Sequence, residues 1–143
     1  MILVDVNILL YARNVDALQH AASRTWLDGQ LNGPTPVAMP WATLLGFLRI
    51  STNPRLFQQP PTMSVAWAQV SSWLSAEPVW TPSPTERHAD VLAELLALPG
   101  VLGNLVSDAH LAPLAIEHGL TLCSTDGDFA RFSGLRWRNP LTS

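Results

Sequence analysis

The 143-residue sequence predicts a three-layer α/β/α sandwich with a mainly parallel central sheet, folded as one domain over residues 1–143. Two observations carry that expectation. Short apolar runs (ILV at 2–4, PVAM at 36–39, VWT at 79–81, LTLC at 120–123) alternate with helix-length segments, as in strand–helix–strand units. The first and last of these runs also lead into acids, Asp5 and Asp126. In a parallel sheet both acids then fall at the same carboxyl edge, where α/β proteins place their ligands.

The elements follow in order. Residues 2–4 read as a short buried strand and 6–13 as a helix. A second helix is expected over 17–31, with Asp16 as N-cap and Leu18, Ala22 and Trp26 on one face at i, i+4, i+8. Gly33-Pro34 breaks the chain before the strand at 36–39. Pro40 then opens WATLLGFLRI, apolar nearly all round and so a buried helix. Residues 53–62 hold three prolines and cannot be regular. Helix 63–75 places Ala66, Val70, Trp73 and Leu74 on one side, and strand 79–81 follows. SPTE at 83–86 reads as a capping box, with Ser83 as cap and Glu86 reaching back, opening a helix over 84–98. Residues 105–118 form another helix, with Pro113 removing one backbone bond inside it. Strand 120–123, a short helix 127–132 and a strand 135–137 complete the chain.

Composition narrows the chemistry. The chain has eight arginines and no lysine. A Walker A loop and a Schiff-base mechanism both need a lysine, and no GxSxG motif is present. Cys123 stands alone, inside an apolar strand, so it reads as a core residue and no internal disulfide can form. The start, MILVDVN, lacks a basic region and makes a poor signal peptide. No apolar run approaches the ~18 residues of a membrane span. The expectation is a cytoplasmic protein with no membrane association. Net charge is −3, which argues against binding nucleic acid by charge alone. With Asp5, Asp108, Asp126 and Asp128 neutralised by a cation, seven acids face eight arginines, a net +1.

Each of those four acids has a plain structural reading. Asp5 can cap the following helix, Asp108 stands in a helix's first turn, Asp126-Gly127 is a turn dipeptide, and Asp128 can cap a short helix. Gathered together they need more. Like charges ~4 Å apart repel by roughly 4 kcal/mol at an effective dielectric near 20. A compensating cation is then required, and an all-oxygen donor set selects Mg or Mn over zinc. His20, His88, His110 and His118 are too scattered for a zinc site. The six tryptophans read mainly as core residues at helical spacing, with base stacking as the rarer use.

MILVDVNILLYA, PWATLLGFLRISTNPR, GNLVSDAHLAPLAIEHG and LCSTDGDFARFSGLRWRNP, in that order and covering essentially the whole chain, resemble the PIN-domain ribonuclease toxins of VapC type. The resemblance implies an Mg-dependent endoribonuclease (Mn as substitute), a cognate antitoxin, a bacterial cytoplasmic setting and pairing as a homodimer. It implies Asp5, Asp108 and Asp126 as catalytic metal ligands, with Asp128 as a supporting metal-site acid. Asn7, Thr125 and Thr43 become supporting polar groups. The family's remaining acid would fall at Leu44, so this chain departs from the pattern there. Arg13, Arg49 and Arg55 are candidate phosphate contacts. A metal-activated water would attack a phosphodiester of RNA in line. The alternative is a weakened PIN-like domain that only binds RNA or a partner. A dehalogenase-type phosphatase fits poorly, because its third position would be Asp and here is Asn7, and its lysine has no counterpart.

Overall fold

A computed structural model describes residues 1–142; the side chain of Asp108, in the sixth helix, lies outside the described residues. Five strands form one sheet: β1 (Ile2–Val4), β2 (Val37–Ala38), β3 (Val79–Trp80), β4 (Thr121–Cys123) and β5 (Arg136–Arg138). Their order is β3-β2-β1-β4-β5, and every pairing is parallel. The strands are short and apolar, as a sheet covered on both faces requires. Alternation along β1 shows the two faces. Leu3 joins a core with Leu95, Ala112, Leu122 and Phe129, while Val4 joins a second core with Ile8, Leu27, Leu44 and Val70. The second core lies under α1 (Val6–Arg13), α2 (His20–Leu31), α3 (Trp41–Ser51) and α4 (Met63–Ser75). The first lies under α5 (His88–Leu96) and α6 (Leu105–Glu117). The expected α/β/α sandwich with a parallel sheet is the observed architecture.

Local differences have identifiable causes. The second helix begins at His20, not residue 17, and Asp16 does not cap it: the Asp16 N–H donates to Asn14 Oδ1 instead. The buried face also differs by one position from the expected one. Ser23 and Leu27 face the core, while Leu18 is 99% exposed and Ala22 is exposed. The His20 ring bonds the Tyr11 carbonyl at 2.9 Å and so ties the start of α2 to α1.

The capping box at 83–86 does not form either. A distant acid claims the Thr85 donors. Glu117, at the end of α6, is fully buried in its side chain and accepts from the Thr85 N–H at 2.8 Å, from the Thr85 hydroxyl and from the His88 ring at 2.6 Å. Helix α5 therefore starts at His88, with Arg87 at the cap position. Burial alone would raise the Glu117 pKa, but these hydrogen bonds outweigh it and hold the carboxyl below its ordinary value. The clasp fastens the β3–α5 connection to α6.

Of the six tryptophans, Trp73 is buried and packs edge-on against Phe47 at 4.8 Å between ring centres. Trp26, Trp80 and Trp137 are partly buried. Trp41 and Trp67 are about half exposed. Cys123 is buried, and burial pushes its thiol up to about 11, so it is an inert core residue at neutral pH. Among the described residues no helix is long and apolar enough to cross a membrane.

Candidate active site

The strand order reverses direction between β1 and β4. From β1 the chain moves outward to β2 and β3, then returns to pair on the opposite side of β1. Such a switch point leaves a crevice at the carboxyl ends of the two strands. Val4 pairs with Cys123, so the next residues, Asp5 and Ser124, leave the sheet side by side. The Asp5 N–H donates to the Cys123 carbonyl at 3.0 Å and extends the ladder by one bond.

Asp5 is only 5% exposed. One carboxylate oxygen, Oδ1, accepts from the Val6 N–H at 2.7 Å and caps α1. The other, Oδ2, accepts from the Ser124 hydroxyl at 2.8 Å. Burial pushes the Asp5 carboxyl above its ordinary pKa. The bonds from Ser124 and Val6 offset part of that rise, and the nearby Asp126 charge adds to it. The cap that the sequence predicts is therefore real, yet it does not account for the acid. A capping carboxylate gains nothing from being desolvated next to a second one.

Ser124 is the centre of the network. Its hydroxyl donates to Asp5, and it accepts from Asn7 Nδ2 at 3.0 Å and from the Asp126 N–H at 3.0 Å. One donor and two acceptor sites are all that a hydroxyl has, and all are used. Sequence reasoning passed over Ser124 in favour of its neighbour. Thr125 contributes only its backbone N–H, to Asn7 Oδ1 at 3.4 Å. The signal for Ser124 in the sequence is its place as the first polar residue after an apolar strand.

The remaining candidates divide clearly. Asp126 is half-buried, linked to Asp5 through Ser124, and its Oδ1 accepts from the Asp128 N–H at 2.9 Å. Asp128 itself is exposed and lies 3.4 Å from Arg131, so its carboxylate is turned toward a cation of its own. Thr43 is buried and donates to the Val4 carbonyl at 3.2 Å, which clamps the first turn of α3 to the end of β1. Leu44 is fully buried in the core beneath α3. Asp108 occupies the fourth position of α6, and its side chain lies outside the described residues. Arg13, Arg49 and Arg55 are exposed and none pairs with a carboxylate among the described residues.

Asp5 and Asp126 thus present two carboxylates at one crevice, with hydroxyl and amide oxygens beside them. Among the described residues no three His, Cys, Asp or Glu side chains form a complete metal cage. The donor chemistry is still that of a hard cation site: oxygen only, with a buried acid that has no counter-ion among the described residues.

A parallel sheet with acids collected at its switch point defines an acid-site α/β domain. The sequence matches the PIN domain family over residues 2–135, and the chain belongs to that family. It is 46% identical over 140 residues to a Mycobacterium tuberculosis protein, Ribonuclease VapC37, covering 98% of this chain and 97% of that one. Among solved structures, VapBC2 from Rickettsia felis, bound to a DNA fragment from its promoter, is similar with a TM-score of 0.70 at 21% identity, covering 97% of this chain and 98% of that one. FitAcB from Neisseria gonorrhoeae is similar with a TM-score of 0.72 at 20% identity, covering 98% of each.

Proposed function

We propose that this chain is the endoribonuclease toxin of a toxin–antitoxin pair and cleaves RNA phosphodiesters with the help of a divalent cation. The observation that carries the reading is the Asp5–Ser124–Asp126 network at the β1/β4 switch point, in a chain 46% identical to a named ribonuclease. Asp5 and Asp126 would hold the cation, with Asp108 of α6 as the third acid that the resemblance implies, and Mg or Mn suits that donor set. Bound there, such an ion would supply Lewis acidity, toward a water that it would help to deprotonate and toward the phosphate. The chain's own part is positional. Ser124 fixes the Asp5 carboxylate, Asn7 fixes Ser124, and the exposed Arg13, Arg49 and Arg55 supply phosphate contacts. The partner proposed here is a cognate antitoxin, which the resemblance to VapC toxins implies.

The test is cleavage of single-stranded RNA by the purified chain with Mg or Mn, followed by chelation. The expected result is cleavage that EDTA stops and added metal restores. RNA left intact with either ion would reject the reading. A second reading rests on Leu44, an apolar core residue where the family pattern expects an acid. In that case the domain binds RNA or a partner without cutting, and the same assay returns intact RNA.

Ser124→Ala tests the positional role. Asp5 loses a donor, and Asn7 and the Asp126 N–H lose their acceptor. Cleavage should fall by about 10–100-fold, as when a partner of a metal ligand is removed. Stability should fall by about 1–3 kcal/mol. Ser124→Thr, which keeps the hydroxyl, should recover most of the activity. If Thr and Ala variants are equally impaired, the hydroxyl is not what matters.

A further inference from the structure

Building on the nuclease reading, we propose that Trp41 is a base-stacking platform for single-stranded RNA at the rim of the site, and that Arg49 holds a phosphate of the same strand. Helix α3 is buried along one side through Thr43, Leu44, Phe47, Leu48 and Ser51. Its other side carries an exposed stripe at i, i+4, i+8: Trp41 is 45% exposed, Leu45 is 58% exposed, and Arg49 is exposed. Residues at this spacing share one helix face. Trp41 and Arg49 lie about 12 Å apart along the axis, a span that neighbouring nucleotides of one strand can cover.

The stripe starts at the active edge. The Thr43 hydroxyl bonds the carbonyl of Val4, the residue immediately before Asp5. The first turn of α3 is therefore fixed beside the end of β1, with Trp41 at its head on the outward side of that turn. An isolated exposed apolar side chain needs no explanation. Here the charge pattern supplies one. Between Asp28 and Glu77 the sequence holds no acid at all, and Arg49 and Arg55 are its only charges. In a chain of net charge −3, this acid-free stretch includes the whole of α3 and α4. A polyanion with flat, unpaired bases complements that surface. Aromatic stacking supplies sequence-tolerant affinity, while arginine supplies the phosphate contact. Paired bases are already stacked and offer no free face, so the occupant is a single strand.

The experiment is fluorescence anisotropy with a fluorescein-labelled single-stranded RNA of about 12 nucleotides. It is run in EDTA so that binding is read without cleavage, and against the same RNA annealed to its complement. Trp41→Ala should weaken single-strand binding about tenfold, or ~1.4 kcal/mol. Trp41→Phe keeps an aromatic face and should stay within about threefold of wild type. Arg49→Gln should lower the slope of log affinity against log salt by about 0.7. Duplex binding should not depend on Trp41. Wild-type affinity in Trp41→Ala, equal losses in the Ala and Phe variants, or no single-strand binding by the wild type would each overturn the proposal. So would an unchanged RNA affinity with an altered oligomeric state, which would assign the stripe to a protein contact. Failure of the nuclease reading shows separately, as absent cleavage when Mg is restored.

Discussion

Replacing Asp5 by Asn is expected to lower RNA cleavage by about 1,000-fold or more while the protein stays folded. A loss of that size is ~4 kcal/mol of transition-state stabilisation, within what a metal ligand supplies. The fold should tolerate the change because the carboxylate is held at a disadvantage. Burial raises its pKa, and the Asp126 charge adds to the strain. Since the folded-state pKa lies above the ordinary one, the ionised acid opposes folding at neutral pH, and neutralising it removes that opposition. The Asn Oδ1 can still accept from Val6 and keep the cap on α1. The expected outcome is therefore a melting temperature close to wild type with activity lost, measured by circular dichroism and a cleavage assay on one preparation. Activity within tenfold of wild type would remove Asp5 from the site. A collapsed melting temperature would show instead that Asp5 is mainly a structural cap.

The second large effect concerns Leu44. Installing the acid that the resemblance to VapC toxins implies, Leu44→Glu, should destabilise the protein by about 3–5 kcal/mol and should not improve cleavage. Leu44 is fully buried with Ile8, Phe47 and Val70, and a carboxylate there would be uncompensated. Urea unfolding should show a midpoint well below wild type with a similar slope. A stable variant that needs less Mg for half-maximal activity would mean that position 44 can turn toward the crevice. The packing around Leu44 points the other way: position 44 supplies core volume, and the proposed site rests on the acids at the sheet edge.

Much of the architecture was legible in order along the chain. The apolar runs at 2–4 and 120–123, and the helix opened by Pro40, are local patterns. Burial on both faces of a short strand leaves few polar residues for a strand to carry. Asp5 and Asp126 stood out because each interrupts or follows such a run. The structure departs from the local pattern where distant residues hold the segment. The 83–86 capping box was sound by local chemistry, yet Glu117 offered the Thr85 donors a buried carboxylate and moved the helix start to His88. The phase of α2 was likewise set by contacts with α1, which put Ser23 and Leu27 inward and left Leu18 in water.

The same division holds at the site. By itself the sequence determined which residues could be acids at the sheet edge, and that the chain is of PIN type. Only tertiary structure decided that Ser124, not Thr125, joins Asp5 to Asp126, that Asp128 turns toward Arg131, and that Trp41 and Arg49 share an exposed face of α3. The reason is physical. Strand and helix identity follow from periodicities of a few residues, whereas a hydrogen-bond network across 119 positions of chain, Asp5 to Ser124, exists only once β1 and β4 lie in register.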